Sequence, residues 1–307
     1  MSHRIFLDSG APFLYNRFAR NVVRKPGAIY MGAFLKDRKK DNFDWLDNEE
    51  YLDYRERYID YIKSLKDTVT VYTNLDIVNN PQATWDNQRY LESHGLNPIP
   101  VWHFGSDVRW LQRYLKKGYD YIGIGGLVPN PYSILKPALD ELFAKHLTDA
   151  KGYPVVKLHG FAATAIALMT RYPWYSVDSS SWIKYGNYGT LLIPQRIRGE
   201  WRYTEMCYKI NVSGKSPAQK EYGRHYKTLS KQMKHLFDQY IEEMGFVMGK
   251  SEFYTNEQGK LKERIIEPGL CNRPHLRAFL NSCFYIGLQK QMPEWPWPFN
   301  AAKKLVL

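Results

Sequence analysis

Six short stretches of this 307-residue chain each end an apolar run on a residue that can do chemistry or approach a ligand closely. They read "FLDSG" (6–10), "NLD" (74–76), "VWHF" (101–104), "GIGG" (123–126), "KLHG" (157–160) and "YSVDSSSW" (175–182). Together they supply three carboxylates (Asp8, Asp76, Asp178), two imidazoles (His103, His159) and, among their glycines, Gly125, Gly126 and Gly160 at strand ends. Each alone has an ordinary structural explanation. Asp followed by Ser and Gly hydrogen-bonds its own backbone in a turn, a lone histidine is commonly a satisfied core residue, and paired glycines make a tight turn. As a set they restrict the chemistry. A metal site on strand ends calls for paired histidines such as HxH, and the sequence has none. There is no GxSxG elbow, and Cys207, Cys271 and Cys283 lie away from these strand ends. What remains is two-carboxylate chemistry at an anomeric carbon. One carboxylate attacks while a second acid protonates the leaving group, giving a covalent glycosyl-enzyme.

The elements that must position these residues alternate along the chain. Strand patterns at 4–8, 68–76, 98–104, 119–127, 153–161, 174–178 and 189–195 are interleaved with helical patterns at 48–66, 84–95, 106–118, 132–147 and 162–172. The first helix carries a capping-box pattern, with Asp47 as N-cap and Glu50 three residues on. Such β-then-α units, roughly 25–30 residues each, imply parallel strands joined by crossover helices. Seven strands, with no GxGxxG after the first, predict a (β/α)8 TIM barrel rather than an open dinucleotide-binding sheet. On such a barrel all six stretches fall at the C-terminal mouth, where active sites of this fold are assembled from several strands. The expected organisation is a catalytic barrel over 1–200 and a helical, basic extension over 201–307 packed on it. In the extension one long helix is expected across 216–245 and another across 273–291.

Charge points to the partner. Lys and Arg total 43 against 31 Asp and Glu, a formal net charge of +12, which favours a polyanion through counterion release. The 24 tyrosines and 9 tryptophans fit stacking on unpaired bases as well as ordinary core packing. Arg224, Lys227 and Lys231, on the expected long helix, are the candidate phosphate contacts. No run of about 18 apolar residues is present, so no membrane partner is expected, and the first residues do not read as a signal peptide. Three unpaired cysteines suit the cytoplasm.

The ordered set "FLDSG", "NLD", "GIGGLV" (123–128), "KLHG" and "YSVDSSSW" resembles the tRNA-guanine transglycosylases. It is most similar to their phage and bacterial relatives, the DNA-guanine transglycosylases that place 7-deazaguanines in DNA. The resemblance covers roughly residues 4–195 and implies the following roles. Asp178 attacks C1′ of the target nucleotide. Asp8 is the acid/base that helps guanine leave and takes the proton of the incoming base, most simply 7-cyano-7-deazaguanine. Asp76 reads the guanine-like edge, and the Gly125–Gly126 backbone lies against the base. His103 stands where the family has a glutamine on the base carbonyl. His159, beside Gly160, stands where it has an apolar stacking residue. "DSGAP" replaces the family's "DSGG" plus aromatic, which leaves Phe13 as the stacking ring. The family's CxCxxC zinc cluster is absent from the sequence, so the expectation is a reaction without metal or cofactor. Three other readings remain open: the same chemistry on tRNA, an inactive barrel that binds nucleic acid, and a retaining glycoside hydrolase.

Overall fold

The computed structural model describes residues 5–8, 43–65, 67–216, 218 and 222–292. By its contacts the chain divides into two compact units, one holding the described residues through Ala163 plus Arg171–Asp178, the other Thr164–Thr170 and the described residues from Ser179. The boundary expected at residue 200 lies within the second unit.

The first unit is a parallel α/β array. Strand β1 (Ile5–Leu7) pairs with β2 (Val69–Tyr72), Thr73 bridges in parallel to Ile99, and β3 (Val101–His103), β4 (Tyr121–Gly125), β5 (Lys157–Gly160) and β6 (Ser176–Val177) follow side by side. The array is rolled. The ring of Phe6 on β1 stacks on His159 of β5, with centroids 4.1 Å apart. At about 4.8 Å per strand a flat sheet would hold those two strands about 19 Å apart. Among the described residues, hydrogen bonding closes no barrel.

Crossover helices lie where the periodicity places them, and their caps set the ends. Helix α1 (Glu49–Ser64) is capped by Asn48, whose side chain accepts from Glu50 N–H at 2.8 Å. The expected cap, Asp47, is used up in a 3-10 turn over Asp44–Asp47. Helix α2 (Pro81–Ser93) starts ahead of expectation because Asn80 caps it and Pro81, with its φ already helical, begins it. Helix α3 (Val108–Lys117) is capped by Asp107 and ends at Gly118, whose φ of 85° needs glycine. Helix α4 (Tyr132–Leu142) runs on into a π turn over Phe143–Leu147.

In the second unit the expected helices are only part of the fold. Helix α5 (Ile166–Met169) is one turn, not the expected 162–172, because Ala162 has φ 56° and cannot begin a helix. Helix α6 (Ser181–Asn187) precedes β7 (Thr190–Ile193), which was expected to continue the parallel series. Instead it pairs antiparallel with β10 (Tyr208–Asn211). One hairpin joins β8 (Gln195–Ile197) to β9 (Glu200–Arg202), and a second, β11 (Lys250–Thr255) with β12 (Leu261–Glu267), lies within the extension expected to be helical. The long helix expected across 216–245 is reduced to α7 (Lys231–Glu243), begun by the Ser230 cap. Ahead of it the buried His225 ring accepts from Lys227 N–H, and its other nitrogen meets Ser213 O at 3.2 Å, holding that stretch out of helix. Arg224 and Lys227 therefore lie outside any α-helix, and Lys231 is the first residue of α7. Helix α8 (Pro274–Lys290) completes a core of Leu191, Ile193, Ile210, Phe237, Tyr240 and Leu280. No helix among the described residues is long and apolar enough to cross a membrane.

Candidate active site

Parallel register sets the polar strand ends along one edge of the array. His103 on β3 lies opposite Gly125 on β4, and Gly160 on β5 lies opposite Val177 on β6. Asp8 directly follows β1, the loop 73–77 follows β2, and Asp178 directly follows β6. Asp8, Asp76, His103, Gly125, Gly126, His159, Gly160 and Asp178 thus belong to one edge of the first unit. Phe13 lies outside the described residues.

Asp178 is held, charged and reachable. Its Oδ1 accepts from Ala162 N–H at 2.9 Å and lies 3.5 Å from His159 Nε2, with the carboxyl side chain 45% exposed. Burial pushes its pKa up, but the His159 ring and the Ala162 N–H favour the charged form more strongly, so the net shift is below the usual carboxylate value. Ala162 adopts the left-handed conformation at φ 56°, which costs about 1–2 kcal/mol for a residue with a Cβ. Its N–H is spent on the carboxylate, a local strain of the kind that collects at functional sites.

His159 faces away from solvent. It is 2% exposed, is stacked by Phe6, and meets Phe161 edge-on at 4.5 Å. Its Nδ1 is 2.6 Å from Ser176 Oγ, which in turn hydrogen-bonds the Tyr121 hydroxyl. Nε2 has no hydrogen bond, the 3.5 Å separation from Asp178 being too long for a good one. The ring still stands among the causes that lower the Asp178 pKa. That burial contradicts its expected place as a stacking partner of a base: β5 turns the ring under Phe6.

Asp76 forms a second Asp–His pair. Its Oδ2 is 2.8 Å from His103 Nε2, and both side chains are only 8% exposed. The loop that carries it is fixed from α2. Thr84 Oγ1 accepts from Ile77 N–H and donates to Ile77 O, while Asn87 donates to Leu75 O at 2.7 Å. Gly125 is explained by the same pair, since a Cβ there would stand 2.9 Å from His103 Cδ2. Gly126 has φ 70°, and Gly160 leaves room for Ala163 and Trp174, where a Cβ would come within 2.7 Å and 3.1 Å.

Asp8 is exposed. Its charge and that of Asp76 reach the same buried phenol, Tyr58. Burial raises that pKa most, the Thr73 side chain opposes the rise, and the Asp76 and Asp8 charges add to it.

Phe6, Tyr121, Ala162, Ser176, Thr84 and Asn87 are supporting residues that the sequence did not single out. Only Ser176 had a legible signal, being two places before Asp178 on the same strand face. Arg224, Lys227 and Lys231 are exposed residues of the second unit. Among the described residues no group of three or more His, Cys, Asp or Glu could hold a metal ion. No family model, curated protein or solved structure matches this chain.

Proposed function

We propose that the protein is a DNA-guanine transglycosylase, built on a barrel of which the six parallel strands form the described wall. The observation that carries this reading is an ionised, reachable Asp178 on the same strand edge as an exposed carboxylate, Asp8. In the first half-reaction an Asp178 carboxylate oxygen bonds to C1′ as the bond from C1′ to guanine N9 breaks. Asp8 supplies the proton that lets guanine leave neutral. In the second, N9 of the incoming 7-deazaguanine gives its proton to Asp8 and bonds to C1′, releasing Asp178. Atoms and charges balance without metal or cofactor.

Asp76 would accept from the ring N–H and amine of the guanine-like edge. His103 keeps that carboxylate in place and presents its own edge beside Gly125 and Gly126. His159 serves the reaction by helping to keep Asp178 ionised. A base in duplex is out of reach in the stack, so the target nucleotide is flipped out or single-stranded. Arg224, Lys227 and Lys231 would contact the phosphates.

The test is incubation of the protein with radiolabelled guanine and either single-stranded DNA or tRNA. The reading expects label in DNA, lost again on a chase with 7-cyano-7-deazaguanine. Label in tRNA alone would change the polymer, and label in neither would overturn the proposal.

A further inference from the structure

The outer face of α3 gathers charge of one sign. None of its ten residues is a carboxylate, and Arg109, Gln112, Arg113, Lys116 and Lys117, all exposed, line an open groove of about 420 Å³. Helix α1 shows that a solvated face in this protein need not look like that, since it mixes Glu49, Glu50, Asp53, Glu56 and Asp60 with its bases. Two of the α3 cations have partners: Arg109 Nε is 2.8 Å from Asp107, and Lys117 Nζ is 2.7 Å from Glu92. Arg113 and Lys116 enter no ion pair among the described residues. The groove is flanked by aromatic rings. The Arg113 guanidinium is 4.5 Å from the centroid of Trp110 and 5.2 Å from that of Trp85, and Lys117 Nζ is 5.3 Å from Trp85. A guanidinium stacked on a ring still offers its N–H edge to phosphate oxygens. Helix α3 is also the crossover that leaves β3 just after His103, so it starts from the edge carrying the carboxylates.

We infer that this groove binds the phosphate backbone of a single nucleic-acid strand, giving the unit that holds Asp8 and Asp178 its own grip on the polymer. The inference rests on the nucleic-acid reading of the site. Arg109 and Lys116 lie seven residues apart, about 10 Å along the helix, so the contact extends along the strand beyond one phosphate group. The neighbouring indoles add surfaces on which bases stack.

The experiment measures binding of a fluorescein-labelled single-stranded DNA 20-mer by anisotropy between 50 and 200 mM salt. It compares wild type, Arg113→Ala/Lys116→Ala, and a control of equal charge loss, Lys145→Ala/Lys151→Ala, all three checked for equal unfolding midpoints. The expected result is a log–log salt slope shallower by about 1.4 in the α3 variant, about 0.7 for each lost contact. The control should keep the wild-type slope. Equal losses in both variants would mean that only net charge matters, and an unchanged slope in the α3 variant would mean that the strand does not touch α3. Either overturns the inference while leaving the transglycosylase reading intact. If wild type itself fails to bind at 50 mM salt, both fall.

Discussion

Two Asp–His pairs stand on the same strand edge, and they are built in opposite ways. Asp76 and His103 are both sealed, 8% exposed each and 2.8 Å apart. In the other pair the histidine is sealed at 2% while its partner Asp178 is 45% exposed and 3.5 Å away. The first arrangement fixes a carboxylate in place and covers it. The second keeps a carboxylate charged while leaving it open to an incoming atom. On the proposed reading, identical residue types divide into a reading group and an attacking group through burial and distance.

Substitutions can break that division, and the largest effect is expected at the open pair. Asp178→Asn should lower base exchange by at least about 10³ with fold retained, since a nucleophile has no substitute. Asp8→Asn should slow exchange by about 10²–10⁴, the range for general acid–base help. Single-turnover assays on DNA check both. At the sealed pair a loss of stability should accompany the loss of exchange. His103→Ala strands a buried carboxylate and should cost on the order of 3 kcal/mol in urea unfolding, whereas Asp178→Asn should cost much less.

Why some of this was legible in the sequence, and some not, follows from the range of the forces involved. Asp8, Asp76, His103, His159 and Asp178 announced themselves because a strand end is a local feature, and parallel register then aligns every such end. The use made of each histidine was hidden. Phe6 reaches His159 from β1, and Thr84 and Asn87 reach the Asp76 loop from α2, contacts that no local pattern encodes. The shortened α5 depends on Ala162, an unremarkable residue held at φ 56°. The hairpin β11–β12 half-buries polar Ser251 and Glu263 beside Phe253 and Ile265, so no apolar alternation marked it, and a basic run with helical spacing at 216–245 hid the Ser230 cap.

A finer prediction concerns the glycine beside the sealed pair. Gly125→Ala puts a methyl 2.9 Å from the His103 ring, and should cost about 1–3 kcal/mol as an overpacked site. Calorimetry of the variant checks it, and pairing it with His103→Ala should relieve most of the cost. The smallest effect is a shift in pH dependence. His159 is one of the causes holding the Asp178 pKa down, so His159→Leu lets that pKa rise. Exchange requires ionised Asp178, and the acid limb of the rate–pH profile should therefore move to higher pH. An acid limb left in place would detach His159 from the carboxylate.

The division between the pairs depends most on Asp178 being the atom donor to C1′. Intact mass spectrometry after denaturing quench of protein mixed with a guanine-containing single-stranded oligonucleotide measures this directly. The expected species is protein plus oligonucleotide less one guanine, present in wild type, absent in Asp178→Asn, and mapped by proteolysis to the peptide containing Asp178. The same adduct formed by Asp178→Asn, or mapped to Asp8 or Asp76, would contradict the account.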